Sequence, residues 1–309
     1  MKMNHCIPLL TSAFLIYASS LLSGQGADLH VITKRLEKTF AYKAGYEVNI
    51  EGEKAEVSIG TWDKAEISVR MELIARHPDK ATAEADLEKM KFLAERVRNK
   101  IYLRNFIGIA EGEAKPASNL EARYTILVPA DCPVYLKNYF GVSNVANLTK
   151  SFRFFGEFSK VGLDNVQGAI DLRTRFGDII GRTLSGDVTI NSRRSDITLE
   201  DIKGRYNIEA QYGAIRILST TGLLDLNIKA EKSDVYLFDP KLGDFGFLLT
   251  AQEGQINYPG DLRMNFLSNT ESLKKVEVKP KQEYYPSITI SVTFGDIYLE
   301  KEKPVNGKF

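Results

Sequence analysis

Three aspartates, Asp178, Asp187 and Asp196, each follow a small residue and precede a β-branched one, in GDI, GDV and SDI, at intervals of nine residues. Carboxylates at a fixed interval invite two chemistries. Stacked turns can hold Ca²⁺, as nonapeptide β-rolls do, and a pair of carboxylates can flank a glycosidic bond. The calcium nonapeptide, however, reads GGxGxDxUx, with paired glycines and Asp at its sixth place. Here one Gly or Ser opens the unit and Asp follows at once. Other units carry Ala169, Arg205, Ala214 and Leu223 at that place, so a carboxylate cage is broken in most turns. Asp bonds readily to nearby turn amides, and a turn-capping role is the expectation for all three. Asp178 and Asp196 align on successive repeats, but neighbouring repeats do not extend the pair into a cluster.

Little else in the chain is equipped for catalysis. Of three His, His5 precedes the apolar N-terminal run, and His30 and His77 lie far from the repeats. Nothing in the spacing favours a Ser-His-Asp or Cys-His arrangement. Cys132, in VPADCPVYL, reads as a buried small apolar side chain rather than a reactive thiol. There is no CxxC, no Walker loop and no GxGxxG after a strand. The expectation is a protein that is not an enzyme and has no cofactor and no metal.

The interval itself carries more information. From Gly141 the chain divides into nines: GVSNVANLT, KSFRFFGEF, SKVGLDNVQ, GAIDLRTRF, GDIIGRTLS, GDVTINSRR, SDITLEDIK, GRYNIEAQY, GAIRILSTT and GLLDLNIKA, with no insertion needed to Ala230. Gly168, Gly186, Gly204 and Gly222 form one series eighteen apart, and Gly141, Ser159, Gly177, Ser195 and Gly213 form another. Within the units apolar residues alternate, as in Ile170 and Leu172, Val188 and Ile190, Ile197 and Leu199, Ile215 and Ile217. Such alternation over four or five residues marks a short half-buried strand. One unit cannot bury its apolar face alone, but stacked copies bury a continuous one. Two strands per eighteen residues predict an all-β fold, a parallel β-solenoid (β-helix) with about eighteen residues per coil. A triangular left-handed helix needs a six-residue beat, and a sandwich would show hairpin turns between strands. The glycines are expected at tight corners, where positive φ or close approach excludes a side chain; Ser at alternate corners implies a milder demand there.

A further series, Phe140, Phe158, Phe176, Arg194 and Tyr212, is also eighteen apart. It reads as an aromatic ladder packing a corner, with a sugar-stacking strip as the sharper alternative. Arg173, Arg175, Arg182, Arg193, Arg194 and Arg205 make a modestly basic zone, expected to be a solvated face.

The flanks differ from the repeats. Residues 28–131 form a strand-rich N-terminal region capping the solenoid, with one amphipathic helix at about 79–97: Ala83, Leu87, Met90, Ala94 and Val97 recur at helical spacing, and Asp79 can cap the start. The solenoid is expected over 132–300, with a C-terminal cap insertion at about 259–290 and a polar tail at 301–309. Residues 1–26, with Lys2, the run IPLLTSAFLIYASSLL and the small residues SGQG, have the layout of a secretory signal. That run is shorter than the ~20 residues of a membrane-spanning helix, and no later segment is apolar enough to span. With 41 Lys and Arg against 40 Asp and Glu, the net charge of +1 argues against nucleic acid.

LVPADCPVYLKNYFG, leading into GAIDLRTRFGDI, SGDVTINSR, SDITLEDIKG and YGAIRI, resembles a bacterial adhesin family of secreted β-helix proteins, an auto-transporter-adhesin-head-like domain of unknown function. The resemblance covers roughly residues 34–300 and is most specific from FGDI through SGDV. It implies an exported solenoid in the periplasm or on the cell surface of a Gram-negative-type bacterium, with no established catalytic residues. RRSDI departs from the pattern, placing Arg194 and Ser195 where the family has an aromatic-Gly pair. The expected function is a non-catalytic scaffold presenting a sheet face to a surface glycan or envelope protein. The alternatives are a periplasmic module contacting a signalling or assembly partner and, remotely, a glycan-active enzyme.

Overall fold

The computed structural model describes residues 29–218, 222–240, 242–260 and 264–301. The segment 1–26, expected to be a secretory signal, and the tail beyond residue 301 lie outside the described residues.

The chain is all-β, with one helix among the described residues, and its strands form two long sheets of twelve and thirteen strands. Alternation produces this directly. In Gln167–Arg175 the side chains of Ile170, Leu172 and Thr174 are buried while Arg173 and Arg175 are exposed. In Ile179–Arg182, Ile179 and Gly181 turn inward. The inward rows of the two sheets share one core, which runs from Phe40 to Leu299.

The central strands are parallel and in register. Gly168 pairs with Gly186 and Gly186 with Gly204; Leu172, Ile190 and Ile208 follow the same line, each partner eighteen residues on. Parallel strands need both faces covered or a connection that crosses over. Here the other sheet supplies that crossing: Ile179 pairs with Ile197 and Ile197 with Ile215 in step with the first sheet.

The beat breaks at its last expected unit. Gly204 pairs with Leu223, and Arg205 with Asp225, so the partner spacing rises to nineteen and then twenty, and Gly222 does not continue the glycine row. The nine-residue division instead equates Leu224 with Tyr206, yet Leu224 is 57 % exposed. The true partners, Tyr206 with Leu226 and Ile208 with Ile228, put aliphatics on the core.

Both ends are closed by departures from parallel pairing. At the N-terminal end His30–Ala41 and Glu66–His77 pair antiparallel in the twelve-stranded sheet, and the sheet continues through Asn119–Pro129 to Ala55–Trp62. The inward-facing Lys38 of this edge strand donates to the carbonyl of Ala94 at 2.6 Å, tying the edges of the two sheets together. The expected helix at 79–97 is only half present. Asp79 caps it, accepting from the Thr82 amide at 2.8 Å, but the helix spans Lys80–Leu87. Met90–Val97 is a strand, paired antiparallel with Lys100–Ile107.

At the C-terminal end the expected insertion at 259–290 is also redrawn. Leu273–Val278 pairs antiparallel with Gly246–Gln252, but Ser287–Thr293 is a regular parallel strand. It lies between Leu223–Glu231 and Gly246–Gln252, so the later segment fills the gap that the earlier one leaves. Its Ile288, Ile290 and Val292 are wholly buried.

A second bend uses Asn147, Asn165, Thr183 and Asp201, with φ of 64°, 50°, 52° and 51°. Asn and Asp tolerate this left-handed region; a β-branched Thr does so poorly. Asn165 also donates to the Asn147 side chain at 2.8 Å. Thr183→Asn is therefore expected to stabilise the chain by about 1 kcal/mol, read as a higher thermal midpoint.

Candidate functional site

Two of the three repeated aspartates, Asp178 and Asp196, sit at strand ends and serve the backbone. Asp178 Oδ1 accepts the amide of Asp196 at 3.2 Å, and Asp196 Oδ1 accepts the amide of Ala214 at 2.9 Å. Asp234 and Asp296 do the same farther along, for the amides of Asp296 and Gln255. Asp187 departs from the turn-capping expected of it: it lies inside Ser185–Arg193 and faces Arg205 at 3.5 Å across two neighbouring strands. The nine-residue motif thus mixes two positions of the fold. Asp196→Ala should cost about 1–2 kcal/mol by stranding the Ala214 amide, Asp196→Asn much less. Neither midpoint should move with added Ca²⁺ or chelator.

The Gly–Ser series is a hydrogen-bonded column. The amides of Gly141, Gly177 and Gly213 donate to the hydroxyls of Ser159, Ser195 and Ser233 at 3.0, 3.1 and 3.1 Å. Each Ser hydroxyl donates in turn to the carbonyl two residues before it. A Cβ on Gly177 or Gly213 would strike the carbonyl oxygen of Ser159 or Ser195. Ser therefore marks a specific acceptor, correcting the expectation of a milder demand. The column extends to Ser233 and Gly295, which the strict beat could not reach.

Positive φ at this corner belongs to the residue before each small one. Phe140, Phe158, Phe176, Arg194 and Tyr212 have φ from 51° to 59°. Their amides reach the next strand, as Phe158 does to the Arg175 carbonyl at 2.8 Å. The side chains then stack. Phe140 and Phe158 are 5.1 Å apart at 2°, Phe158 and Phe176 4.7 Å apart at 3°. The Arg194 guanidinium lies 5.3 Å from Phe176 and 5.7 Å from Tyr212, and Lys232 covers Tyr212 at 5.2 Å. Parallel stacking at this distance leaves ring edges in solvent and occupies the faces of Phe158. Sugar stacking needs a free face, so the geometry favours the packing role for this ladder.

Cys132 is wholly buried, and burial, followed by the charge of Asp131, pushes its thiol up to about 12. His30 and His77 are cross-strand partners at the N-terminal edge, away from the repeats.

A groove of about 990 Å³ lies on the outer face of the thirteen-stranded sheet. It crosses six neighbouring strands, from Ser151–Glu157 to Ser287–Thr293. Two rows of outward side chains floor it: Phe155, Arg173, Asn191, Glu209, Lys229 and Ser291, then Arg175, Arg193, Gln211, Glu231 and Thr293. Guanidiniums crowd one end, and amides, hydroxyls and both charge signs line the rest. Among the described residues no three His, Cys, Asp or Glu gather as a metal site, and no helix is long and apolar enough to cross a membrane.

No protein-family model matches the chain, and no curated protein does. Among solved structures it is similar to one described as a "putative cell adhesion protein" from Clostridium sporogenes. That likeness has 14% identity and a TM-score of 0.25, over 87% of this chain and 100% of the other. A TM-score that low carries neither fold nor function across.

Proposed function

We propose that the chain is an exported, non-catalytic β-solenoid of about eighteen residues per coil, an adhesin-type scaffold at the bacterial envelope or cell surface. The observation that carries this reading is the continuous in-register stacking of Gly168, Gly186 and Gly204 with the aliphatic rows beside them. Side chains at the repeat positions serve that stacking: the aspartates and serines hold corner amides, and the aromatics hold one another. What remains free for function is the outward face, long, polar and grooved. The resemblance of the repeat motifs to the adhesin family supports the same reading. Residues 29–131 and the antiparallel C-terminal strands act as end caps, protecting sheet edges that would otherwise recruit other strands.

Glycan-array and whole-cell binding assays on the purified chain test the proposal. Reproducible binding to a surface glycan or an envelope protein, without turnover of the ligand, is the expected result. Absence of binding to every surface, combined with a crosslinked periplasmic partner in intact cells, would move the assignment to a periplasmic interaction module.

A further inference from the structure

The groove on the thirteen-stranded sheet has an electrostatic feature that folding does not require. Arg175 and Arg193 are direct register partners on neighbouring parallel strands, both exposed and both lining the groove. Strands lie only ~4.8 Å apart, and like charges placed side by side destabilise a sheet. Elsewhere on this molecule such charges are matched: Arg104 faces Glu51, Arg123 faces Glu56, and Arg182 faces Glu200. Among the described residues no carboxylate comes within ion-pair distance of Arg175 or Arg193; Glu157, the other register partner of Arg175, stays outside it. Arg173 adds a third guanidinium in the adjoining row, held 3.2 Å from Asp171.

The surroundings narrow what this pair would take. A guanidinium offers a planar fork of donors that fits a carboxylate or sulfate. Beside the pair, Phe155 presents a ring next to Arg173. Along the groove, Asn191, Gln211, Ser291 and Thr293 offer amides and hydroxyls, and Glu209 and Glu231 offer acceptors. Anion clamp, one ring and many neutral polar groups together suit a polyhydroxylated acidic ligand. A polyanion without hydroxyls would leave these amides and hydroxyls unpaired.

We infer that this groove binds an acidic oligosaccharide, with Arg175 and Arg193 gripping its carboxylate or sulfate and Phe155 packing on a sugar ring. The inference rests on the scaffold reading above and names the ligand class for its exposed face.

Titration calorimetry of the intact chain would use an oligogalacturonate hexamer, a sulfated heparin-type hexasaccharide, neutral maltohexaose and a polyglutamate peptide. One acidic hexasaccharide should bind, weakening with added salt, while maltohexaose binds at least about tenfold more weakly. The oligogalacturonate and sulfated arms decide which anion is read. Arg175→Gln with Arg193→Gln should reduce that binding about 100-fold, at roughly tenfold for each guanidinium–anion hydrogen bond removed. That variant should melt no lower than the parent, since it removes a repulsion, so a loss of binding cannot be put down to misfolding. Equal binding of neutral and acidic sugars, binding of polyglutamate alone, or no effect of the double substitution would overturn the inference. Cell or glycan adhesion that survives the double substitution would leave the scaffold reading standing and remove only the groove.

Discussion

Gly186→Ala should destabilise the chain by about 4 kcal/mol or more, lowering the thermal midpoint by roughly 10 °C for a chain of this size. Two causes add. Gly186 has φ of 125°, which an L side chain rarely adopts, and its Cβ would strike the carbonyl oxygen of Gly168 on the neighbouring strand. The obstacle is backbone, so it yields only if the strands separate, and Gly204 bears on Gly186 in the same way. Two controls divide the causes. Gly45→Ala meets φ of 89° with nothing within 4 Å, and should cost only about 1–2 kcal/mol. Gly177→Ala has no positive φ but would strike the Ser159 carbonyl, so it isolates the crowding. Equal melting of Gly186→Ala and Gly45→Ala would mean that the glycine row is not closely stacked.

Asp86→Ala should cost about 3 kcal/mol or more, because it strands the buried Ser118 amide, the Ala117 amide and a cation together. Asp86, near the end of the helix, is 4% exposed, and its Oδ2 accepts the amides of Ala117 and Ser118, each at 2.8 Å. Lys89 reaches the carboxylate at 3.2 Å and also donates to the Ala114 carbonyl. Asp86 and Lys89 together thus tie the segment 114–118 to the helix end. Burial alone would raise the carboxyl pKa, but the Ser118 and Ala117 amides and Lys89 outweigh it and hold the group below the ordinary carboxylate range. A depressed folded-state pKa gives a contribution fully present above the unfolded value. It is lost as the pH falls through the folded one. The stability gap between the parent and Asp86→Ala should therefore be constant at neutral pH and shrink below about pH 4. Denaturant titrations at several pH values check this, and a gap that widens in acid would refute it.

The parallel sheets were legible because alternation and a small-residue beat are both local signals. Ile170 and Leu172, or Val188 and Ile190, state which side is inward without reference to anything distant. The helix at 79–97 shows the limit of that reading. Ala83, Leu87, Met90, Ala94 and Val97 satisfy helical spacing, but Met90–Val97 is a strand because Lys100–Ile107 is available to pair with it across a two-residue loop. Arg98 in that loop has φ of 57°, a conformation that an arginine does not announce as Gly or Asn would. The shift from eighteen to twenty was hidden for a related reason: Gly222 matches Gly204 by type, while the core matches Ile228 to Ile208. The filling strand Ser287–Thr293 is joined to its neighbours only by long-range pairing, which no local pattern reports. The arginine pair of the groove sat in the sequence as RTR and SRR, eighteen residues apart. Its lack of carboxylate partners could emerge only from the positions of side chains on other strands.

Distances along one outward row of the thirteen-stranded sheet test the central claim. Tyr135, Arg153, Asp171, Thr189, Asn207, Asn227 and Thr289 are successive register partners. Spin labels at Tyr135→Cys paired with Asn207→Cys, Asn227→Cys or Thr289→Cys would be read by pulsed dipolar spectroscopy, with native Cys132 buried and unlabelled. In-register parallel stacking predicts separations near 19, 24 and 29 Å, rising by one strand spacing of ~4.8 Å each time. The step from Asn227 to Thr289 should equal the one before it although far more chain intervenes. Distances that fail to rise in equal steps, or a Thr289 label nearer to Tyr135 than the Asn207 label, would contradict it.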